Sequence, residues 1–495
     1  VIQFLLNQDL IKLEAVAPSL SILDWLRIKK GKTGTKEGCA SGDCGACTVI
    51  VGDKKQGRWQ YKSINACLML VGSLHGKHLV TIEAVSKTDF PQLEDLHPVQ
   101  KAMVECHGSQ CGFCTPGIIM SMLALYLNHQ TYPGKLAAIH ALGGNLCRCT
   151  GYSPILKAVE KCFEYPRADH DWQSATQLLE NKLIQSATPF LVEQTRHFYL
   201  PQNLAELVRL RAEMPNTRLV AGATDLSLEF SQQLKESSSL ISLTQCQELL
   251  SFQSDQSGIF IGAATPYSEF VGEFCKIYPE ASELFERLGS CQVRNAGTLG
   301  GSIGNASPIG DPAPLLIALN ASIELTGKKG KRQLPLDEYF IAYKTTQLAD
   351  DEVISGFYIP PRPANLTLAC HKISKRIEDD ISAVCLVLAL STDDSQINHA
   401  RVALGGMAAI PARAKQVEQA LLGQTTSLVT FQTAASLIHQ DFSPLSDVRA
   451  SSDYRIKVSE NLFTRIWHEN FGRIDTQAQS LTIQPSATRV NHAAL

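Results

Sequence analysis

The sequence predicts a multidomain α+β protein, on three observations. The chain has 495 residues, and at about 150 residues per domain that allows three to four domains. Residues 1–83 carry short strand patterns around one short helix, and residues 91–165 switch to helical periodicity. From about residue 196 onward, short strands, helices and glycine turns alternate. A composition 44% hydrophobic and 19% charged supplies several packed cores.

Each element has its own justification. Residues 2–7 and 10–13 are apolar strand patterns, with Asn7-Gln8-Asp9 as the tight turn between them. Residues 21–26 place apolar side chains at Ile22, Leu23, Trp25 and Leu26, a short helix. Residues 48–51 and 79–82 are further strands, and strands around one helix suggest a small β-grasp. Pro98 opens a helix over 99–106. Residues 118–128 are apolar on several faces, which suits a buried bundle helix with Pro116 in its first turn. Residues 136–142 and 155–163 complete a four-helix bundle. Residues 166–195 are polar and loosely patterned, a linker. The stretch 196–362 alternates strands and helices, and 363–476 forms a last α+β unit with strands at 384–390 and 400–404. Residues 477–495 are a polar tail.

Charge and hydropathy narrow the function classes. A net charge of −3 and a pI near 6.5 argue against a nucleic-acid-binding surface. No apolar run reaches the ~18 residues of a membrane span. No basic segment with an apolar stretch and a cleavage site marks an export signal, so the expected location is cytoplasmic, with no membrane or nucleic-acid partner. Fifteen cysteines are the unusual feature, and nine of them lie within residues 39–149. In a long chain with no export signal, clustered cysteines point to metal or redox chemistry rather than to a disulfide framework.

Cys39-x4-Cys44-x2-Cys47, followed by Cys67, has the spacing of a plant-type [2Fe–2S] site. The spacers Gly38, Ala40, Ser41, Gly42, Gly45 and Ala46 are tiny, so backbone N–H groups can close around sulfur. A structural zinc site is the alternative, but zinc sites usually pair two C-x2-C units and no second unit serves this loop. Cys111-x2-Cys114 and Cys147-x-Cys149 form a second set. C-x2-C alone is shared by zinc, iron–sulfur and thioredoxin-like sites. Two thiolates one residue apart suit a two-iron cluster better, with a zinc knot as the alternative. Helix starts after Cys114 and Cys149, together with Arg148, favour the anionic form. Two clusters in series make a path from a donor to an acceptor. Cys106 completes neither pattern, and Cys162, Cys246, Cys275, Cys291, Cys370 and Cys385 are expected core residues.

Two glycine loops follow. Residues 219–225 run from an apolar strand into Gly222, and residues 297–305 hold Gly297, Gly300, Gly301 and Gly304, with Asp311 beyond. Such turns wrap a pyrophosphate through backbone N–H groups or are simply tight turns. Neither matches a Rossmann or P-loop fingerprint. The run Lys372-Ile373-Ser374-Lys375-Arg376-Ile377-Glu378-Asp379-Asp380-Ile381 alternates bases and acids, usually a solvated loop.

With these residues in view the chain resembles the iron–sulfur/flavin subunit of the molybdenum hydroxylases, and within them of bacterial xanthine dehydrogenases. The runs that carry the resemblance are Gly38 to Thr48, His107-Gly108-Ser109-Gln110-Cys111-Gly112-Phe113-Cys114-Thr115-Pro116-Gly117, and Gly144-Asn145-Leu146-Cys147-Arg148-Cys149-Thr150-Gly151-Tyr152. The second is very specific. The stretch 297–311 is similar to the family's flavin loop, and Glu378 to Ile381 to the loop flanking the flavin.

The resemblance implies a ferredoxin-like domain over 1–83, a helical [2Fe–2S] domain over 84–165, a two-lobed PCMH-like FAD-binding domain over 196–362 and a C-terminal flavoprotein domain over 363–476. It implies that the Cys111/Cys114/Cys147/Cys149 cluster faces the molybdenum cofactor of a large partner subunit, with Gln110 near the pterin. The Cys39/Cys44/Cys47/Cys67 cluster would stand between it and FAD. FAD would contact Leu219, Val220, Ala221, Gly222, Ala223, Thr224, Asp225, Leu288, Thr298, Gly301, Ser302, Asp311, Ile354 and Lys372, and NAD would approach near Asp379. The implied reaction is hydroxylation of hypoxanthine or xanthine at the partner, with electrons passing through both clusters to FAD and NAD, in a heterotetramer of two small and two large subunits. No residue of this chain beyond the flavin site would be catalytic. The family's flavin loop commonly reads Gly-Gly-Asn, where this chain has Ser302. Leu288 stands where many relatives carry an aromatic, and Ile377 where animal relatives carry a base; these bear on flavin potential and acceptor choice. An aldehyde or N-heterocycle hydroxylase with another acceptor, and a non-enzymatic iron–sulfur carrier with a degenerate flavin fold, are the alternatives.

Overall fold

The computed structural model describes residues 1–55, 57–86, 92–168, 170, 172, 175–177, 190–193, 195–235, 238–377 and 379–472. The expected polar tail, most of the expected linker and Glu378 lie outside them. The chain divides into two compact units. One comprises Val1–Leu210, Asn216–Gln247 and Gly289–Gly297; the other comprises Arg211–Pro215, Glu248–Leu288 and the described residues from Thr298 onward. No helix among the described residues is long and apolar enough to cross a membrane.

The first unit begins with strands β1 (Ile2–Leu6) and β2 (Asp9–Leu13), paired antiparallel. Asn7 makes the turn in the left-handed region, and its side chain holds Thr81 through Thr81 N–H to Oδ1 at 2.9 Å. Strands β3 (Thr48–Lys55), β4 (Arg58–Asn65) and β5 (His78–Val80) complete a sheet of order β2-β1-β5-β3-β4. β1 is buried on both faces: Ile2, Phe4 and Leu6 meet the core around Trp25, and Leu5 meets Ala175. The Phe4 and Trp25 rings lie edge to face at 5.3 Å. The expected helix near 21–26 starts at Ser21, whose Oγ accepts from Asp24 N–H at 3.0 Å, and then widens into a π turn over Trp25–Lys29. Strand β4 escapes a sequence reading because Arg58, Gln60 and Lys62 interrupt its apolar signal at the sheet edge.

The four bundle helices span Pro98–Glu105, Thr115–Asn128, Lys135–Leu142 and Ser153–Lys161. The Thr115–Asn128 helix is buried on nearly every face because it packs both on its neighbours and against Ile50, Tyr61 and Val80 of the sheet. A second sheet follows from β6 (Phe190–Glu193), β7 (Arg196–Tyr199), β8 (Arg218–Val220) and β9 (Leu240–Ser242), in the order β6-β7-β9-β8. Phe198, Leu200, Val220 and Leu240 enter the same core as Ile22, Leu26 and Leu70, so both sheets share one apolar interior.

The second unit has a five-stranded antiparallel sheet, β10 (Phe252–Asp255), β11 (Gly258–Gly262), β12 (Ser322–Gly327), β13 (Gly330–Pro335) and β16 (Val353–Ile359), in the order β10-β11-β16-β12-β13. A small hairpin joins β14 (Phe340–Ala342) and β15 (Thr345–Thr346). A four-stranded antiparallel sheet orders β17 (Leu366–Ile373), β18 (Val384–Asp393), β19 (Gln396–Gly405) and β20 (Ala412–Arg413) in sequence. The period of two along β18 sends Cys385, Val387 and Ala389 into one core and Val384, Leu386, Leu388 and Leu390 into another. Helices Lys415–Leu421, Leu428–Ala435 and Ser452–Asn470 cover the second face.

Candidate functional site

The first cysteine set lies on the loop before β3 and on the turn after β4. Cys47 and Cys67 are buried, with their sulfurs 3.3 Å apart. Cys39 and Cys44 are half-buried, and Cys39 Sγ accepts the backbone N–H groups of Ser41 and Cys44 at 3.4 Å each. Within each pair one thiol is shifted down and the other up. Hydrogen bonding from Cys44 brings Cys39 down to about 4 and pushes Cys44 up. Hydrogen bonding from Cys67 likewise lowers Cys47 and raises Cys67. Gly45 is irreplaceable here: its φ is +67°, and a Cβ would stand 2.2 Å from the Gly144 carbonyl oxygen.

The second set pairs in the same way. Cys114 and Cys147 lie within hydrogen-bonding reach of each other, as do Cys111 and Cys149. Cys111 and Cys149 are exposed. Cys114 caps the Thr115–Asn128 helix, yet burial pushes its thiol up to about 12. Burial pushes Cys147 up too, but hydrogen bonds from Thr150 outweigh it and hold Cys147 low; Thr150 Oγ1 lies 3.2 Å away. The lowering expected from helix starts is therefore found at Cys147 and comes from Thr150, while burial raises Cys114 at the helix start. Phe113, Leu146 and Tyr152, close to these cysteines in sequence, are exposed.

Cys44 and Cys147 belong to different sets, yet the loops are joined. Leu146 N–H donates to the Cys44 carbonyl oxygen at 2.9 Å. Beneath this bridge lies a buried polar knot. Asn145 Nδ2 donates to Gly45 O at 3.0 Å, and Ser121 Oγ donates to Asn145 Oδ1 at 2.6 Å. Gln292 Nε2 reaches Asn145 Oδ1 at 3.0 Å, Ser121 Oγ at 3.2 Å and Thr48 Oγ1 at 3.3 Å. No spacing signal marks Gln292, and sequence reasoning misses it.

Among the described residues no three His, Cys, Asp or Glu side chains converge as a single-ion site. The thiols converge as pairs, which suits two-iron clusters taking two thiolates per iron. An all-thiol donor set with backbone N–H groups aimed at sulfur fits a [2Fe–2S] cluster.

The expected flavin residues divide between the units. In the first, Leu219 and Val220 end β8, and Ala221 and Gly222 turn the chain. Ala223 adopts φ +60°, and Thr224 and Asp225 lead into the Leu226–Ser231 helix. A Cβ on Gly222 would stand 1.8 Å from the Ala296 carbonyl oxygen. In the second, the glycine run is a helix rather than a turn, Leu299–Asn305. Thr298 caps it, its Oγ1 accepting from Gly301 N–H at 3.0 Å. Gly301 and Gly304 are exposed, Ser302 is half-buried, and Ile354 lies beneath Gly304. A smooth backbone face edged with hydroxyls fits a flavin dinucleotide. Lys372 departs from the expected solvated run: it is buried on β17, with Nζ 2.6 Å from Asp311 Oδ2, while Ser382 Oγ donates to Oδ1. The Lys372 carbonyl oxygen accepts from Arg287 Nη1 at 3.0 Å. Leu288 packs half-buried against the larger core, and Asp379 adopts φ +50°.

Comparison with known proteins matches four family models in order: a 2Fe-2S iron-sulfur cluster binding domain over 4–72, a [2Fe-2S] binding domain over 81–160, the FAD binding domain in molybdopterin dehydrogenase over 192–362, and the CO dehydrogenase flavoprotein C-terminal domain over 369–470. Among curated proteins, xanthine dehydrogenase of Emericella nidulans is 28% identical over 97% of this chain and 39% of its own length. Xanthine dehydrogenase of Drosophila pseudoobscura pseudoobscura is 32% identical over 82% of this chain and 34% of its own. The chain thus spans less than two-fifths of the length of these relatives. Among solved structures, a carbon monoxide dehydrogenase from Hydrogenophaga pseudoflava, lacking the Mo-pyranopterin moiety of its cofactor, matches with a TM-score of 0.52 at 25% identity, over 57% of this chain and 96% of that one. Quinoline 2-oxidoreductase from Pseudomonas putida 86 shares the fold, with a TM-score of 0.51 at 24% identity, over 57% of this chain and 97% of that one. Four consecutive family models match along the chain, so it carries two [2Fe-2S] domains, an FAD-binding domain and a flavoprotein C-terminal domain in turn, and in these it is similar to the iron–sulfur and flavin portion of the molybdenum hydroxylases.

Proposed function

We propose that the chain carries electrons from a molybdenum site on a partner through two [2Fe–2S] clusters to FAD and then NAD, as in a xanthine dehydrogenase. The observation that carries this reading is the pair of four-cysteine sets joined by the Leu146 N–H to Cys44 carbonyl bridge. When bound, the clusters supply one-electron steps and the flavin exchanges one electron for two. The chain's own residues hold and insulate. Cys39, Cys44, Cys47 and Cys67 would hold the first cluster, and Cys111, Cys114, Cys147 and Cys149 the second. Burial of Cys47 and Cys67 keeps water from the first set, while exposed Cys111 and Cys149 open the second toward a partner. Residues 219–225, Thr298, Gly301, Ser302 and Ile354 would line the flavin, with Leu288 beside it. Asp311 would orient the Lys372 ammonium toward it. The domain limits 1–83, 84–165, 196–362 and 363–476, the approach of NAD near Asp379, the cytoplasmic setting and a two-plus-two assembly with a large subunit belong to the same proposal.

The test is iron, flavin and molybdenum analysis of the copurified complex, followed by turnover of hypoxanthine with NAD. Stoichiometric iron and flavin with NAD-linked purine turnover is the expected result. Turnover of an aldehyde or N-heterocycle instead of purines would replace the substrate. Colourless protein carrying only zinc would overturn the electron-transfer role itself.

A further inference from the structure

Gln292 lies far in sequence from the eight expected cluster cysteines and is completely buried in the first unit. It sits on the Cys291–Ala296 helix within Gly289–Gly297, a segment that runs directly into Thr298 and the glycine helix. Its amide has two protons and three acceptors in reach, on Thr48, Ser121 and Asn145. Those acceptors belong to three different elements. Thr48 opens β3 directly after Cys47, Ser121 lies on the bundle helix that Cys114 caps, and Asn145 is two residues before Cys147. Asn145 in turn holds the Gly45 carbonyl, next to Cys44. Gln292 Oε1 has no hydrogen-bond partner and lies over Gly144, where a Cβ would stand 2.3 Å from it. Flipping the amide would set that oxygen against Asn145 Oδ1, acceptor to acceptor, so the network fixes its orientation.

We propose that Gln292 is a positioning residue for electron transfer between the two clusters, holding the Leu146–Cys44 bridge in register from the segment that leads to the flavin loop. The inference rests on the cluster assignment made above. With both clusters bound, the one held by the Cys111 set would be oxidised by one electron and the one held by the Cys39 set reduced by one. Gln292 gives up no proton and no electron; it fixes the separation and the hydrogen bond across which the electron passes. Hydrogen-bonding groups one shell out from a metal's ligands commonly act this way.

The test uses the full chain with its clusters. Gln292→Met keeps the volume and removes both donors. Asn295→Ala is the control: Asn295 lies on the same short helix but donates to Ser63 O at 2.9 Å, away from the knot. Sub-stoichiometric dithionite followed by rapid-freeze EPR reads how fast an electron redistributes between the two cluster signals. Deuterium uptake by a peptide covering 143–148 reads how firmly the Leu146 amide is held. The expected result for Gln292→Met is full iron, both EPR signals, redistribution slower by about ten-fold or more, and faster uptake at Leu146. Asn295→Ala should leave both readouts at the parent level. An unchanged redistribution rate in folded Gln292→Met, even with a lower melting temperature, overturns the proposal and leaves Gln292 structural. Absence of two cluster signals from the parent chain overturns the cluster assignment itself, a distinct failure seen before any variant is made.

Discussion

Lys372 and Asp311 show what a single buried pair costs to break. Their side chains are 2% and 4% exposed, and Ser382 occupies the second carboxylate oxygen. Removing one partner strands the other's charge, so Lys372→Met is expected to destabilise the fold by about 3–5 kcal/mol. Adding Asp311→Leu to it should restore part of that loss, and urea denaturation of the single and double variants measures both. A single variant as stable as the parent would mean that water reaches the pair. Cys149→Ser makes a functional prediction at the same scale. If the second set lies on the partner's side of the path, as proposed above from the exposure of Cys111 and Cys149, this variant should slow substrate-to-NAD transfer in the assembled complex at least ten-fold while NADH-to-dye transfer stays near the parent rate. Equal loss of both activities in folded protein would reverse the order of the carriers.

Short elements carry the site, and each has a weak point. Thr298 is the cap of the glycine helix, and Thr298→Ala is expected to cost about 1 kcal/mol and to loosen flavin binding. Thermal denaturation with and without added FAD separates the two effects. At the first cysteine loop, Gly45→Ala must fit a methyl group against the Gly144 carbonyl at a left-handed φ. It should bind iron poorly even where the chain folds, and iron content per chain is the measurement. The cysteine spacings were legible in sequence because ligand geometry imposes a local register on the chain. The glycine helix was legible only as a glycine-rich stretch: with no Cβ pattern, nothing distinguishes a capped helix from a turn until Thr298 is seen accepting from Gly301. Lys372 looked solvated because its charged neighbours set the local pattern, while its actual partner is Asp311, distant in sequence. Gln292 left no trace for the same reason, since all its partners are on other elements.

At the scale of the whole chain, buried imidazoles set a pH limit. Burial brings His78 down to about 4 and His97 to about 3. Unfolded histidines titrate near 6.5, so the unfolded chain takes up protons that the folded one refuses. Stability is therefore complete above about pH 6.5 and falls as the pH drops toward 4, by up to about 1.4 kcal/mol per pH unit for each histidine. Urea midpoints at pH 7.5, 6 and 5 should decline in that order, and a flat series would mean that these rings are hydrated. The succession of β-rich, helical and mixed regions was visible from periodicity alone. The grouping of Asn216–Gln247 and Gly289–Gly297 with the N-terminal residues was not, because it depends on contacts made across long stretches of sequence. One strand in the second unit has a consequence for unfolding. Val387 and Leu388 are adjacent on β18, fully buried, and committed to opposite cores. Neither core can melt without pulling that strand from the other, so the two behave as one cooperative block. Val387→Ala and Leu388→Ala should each lower the same single transition in a calorimeter, without splitting it into two.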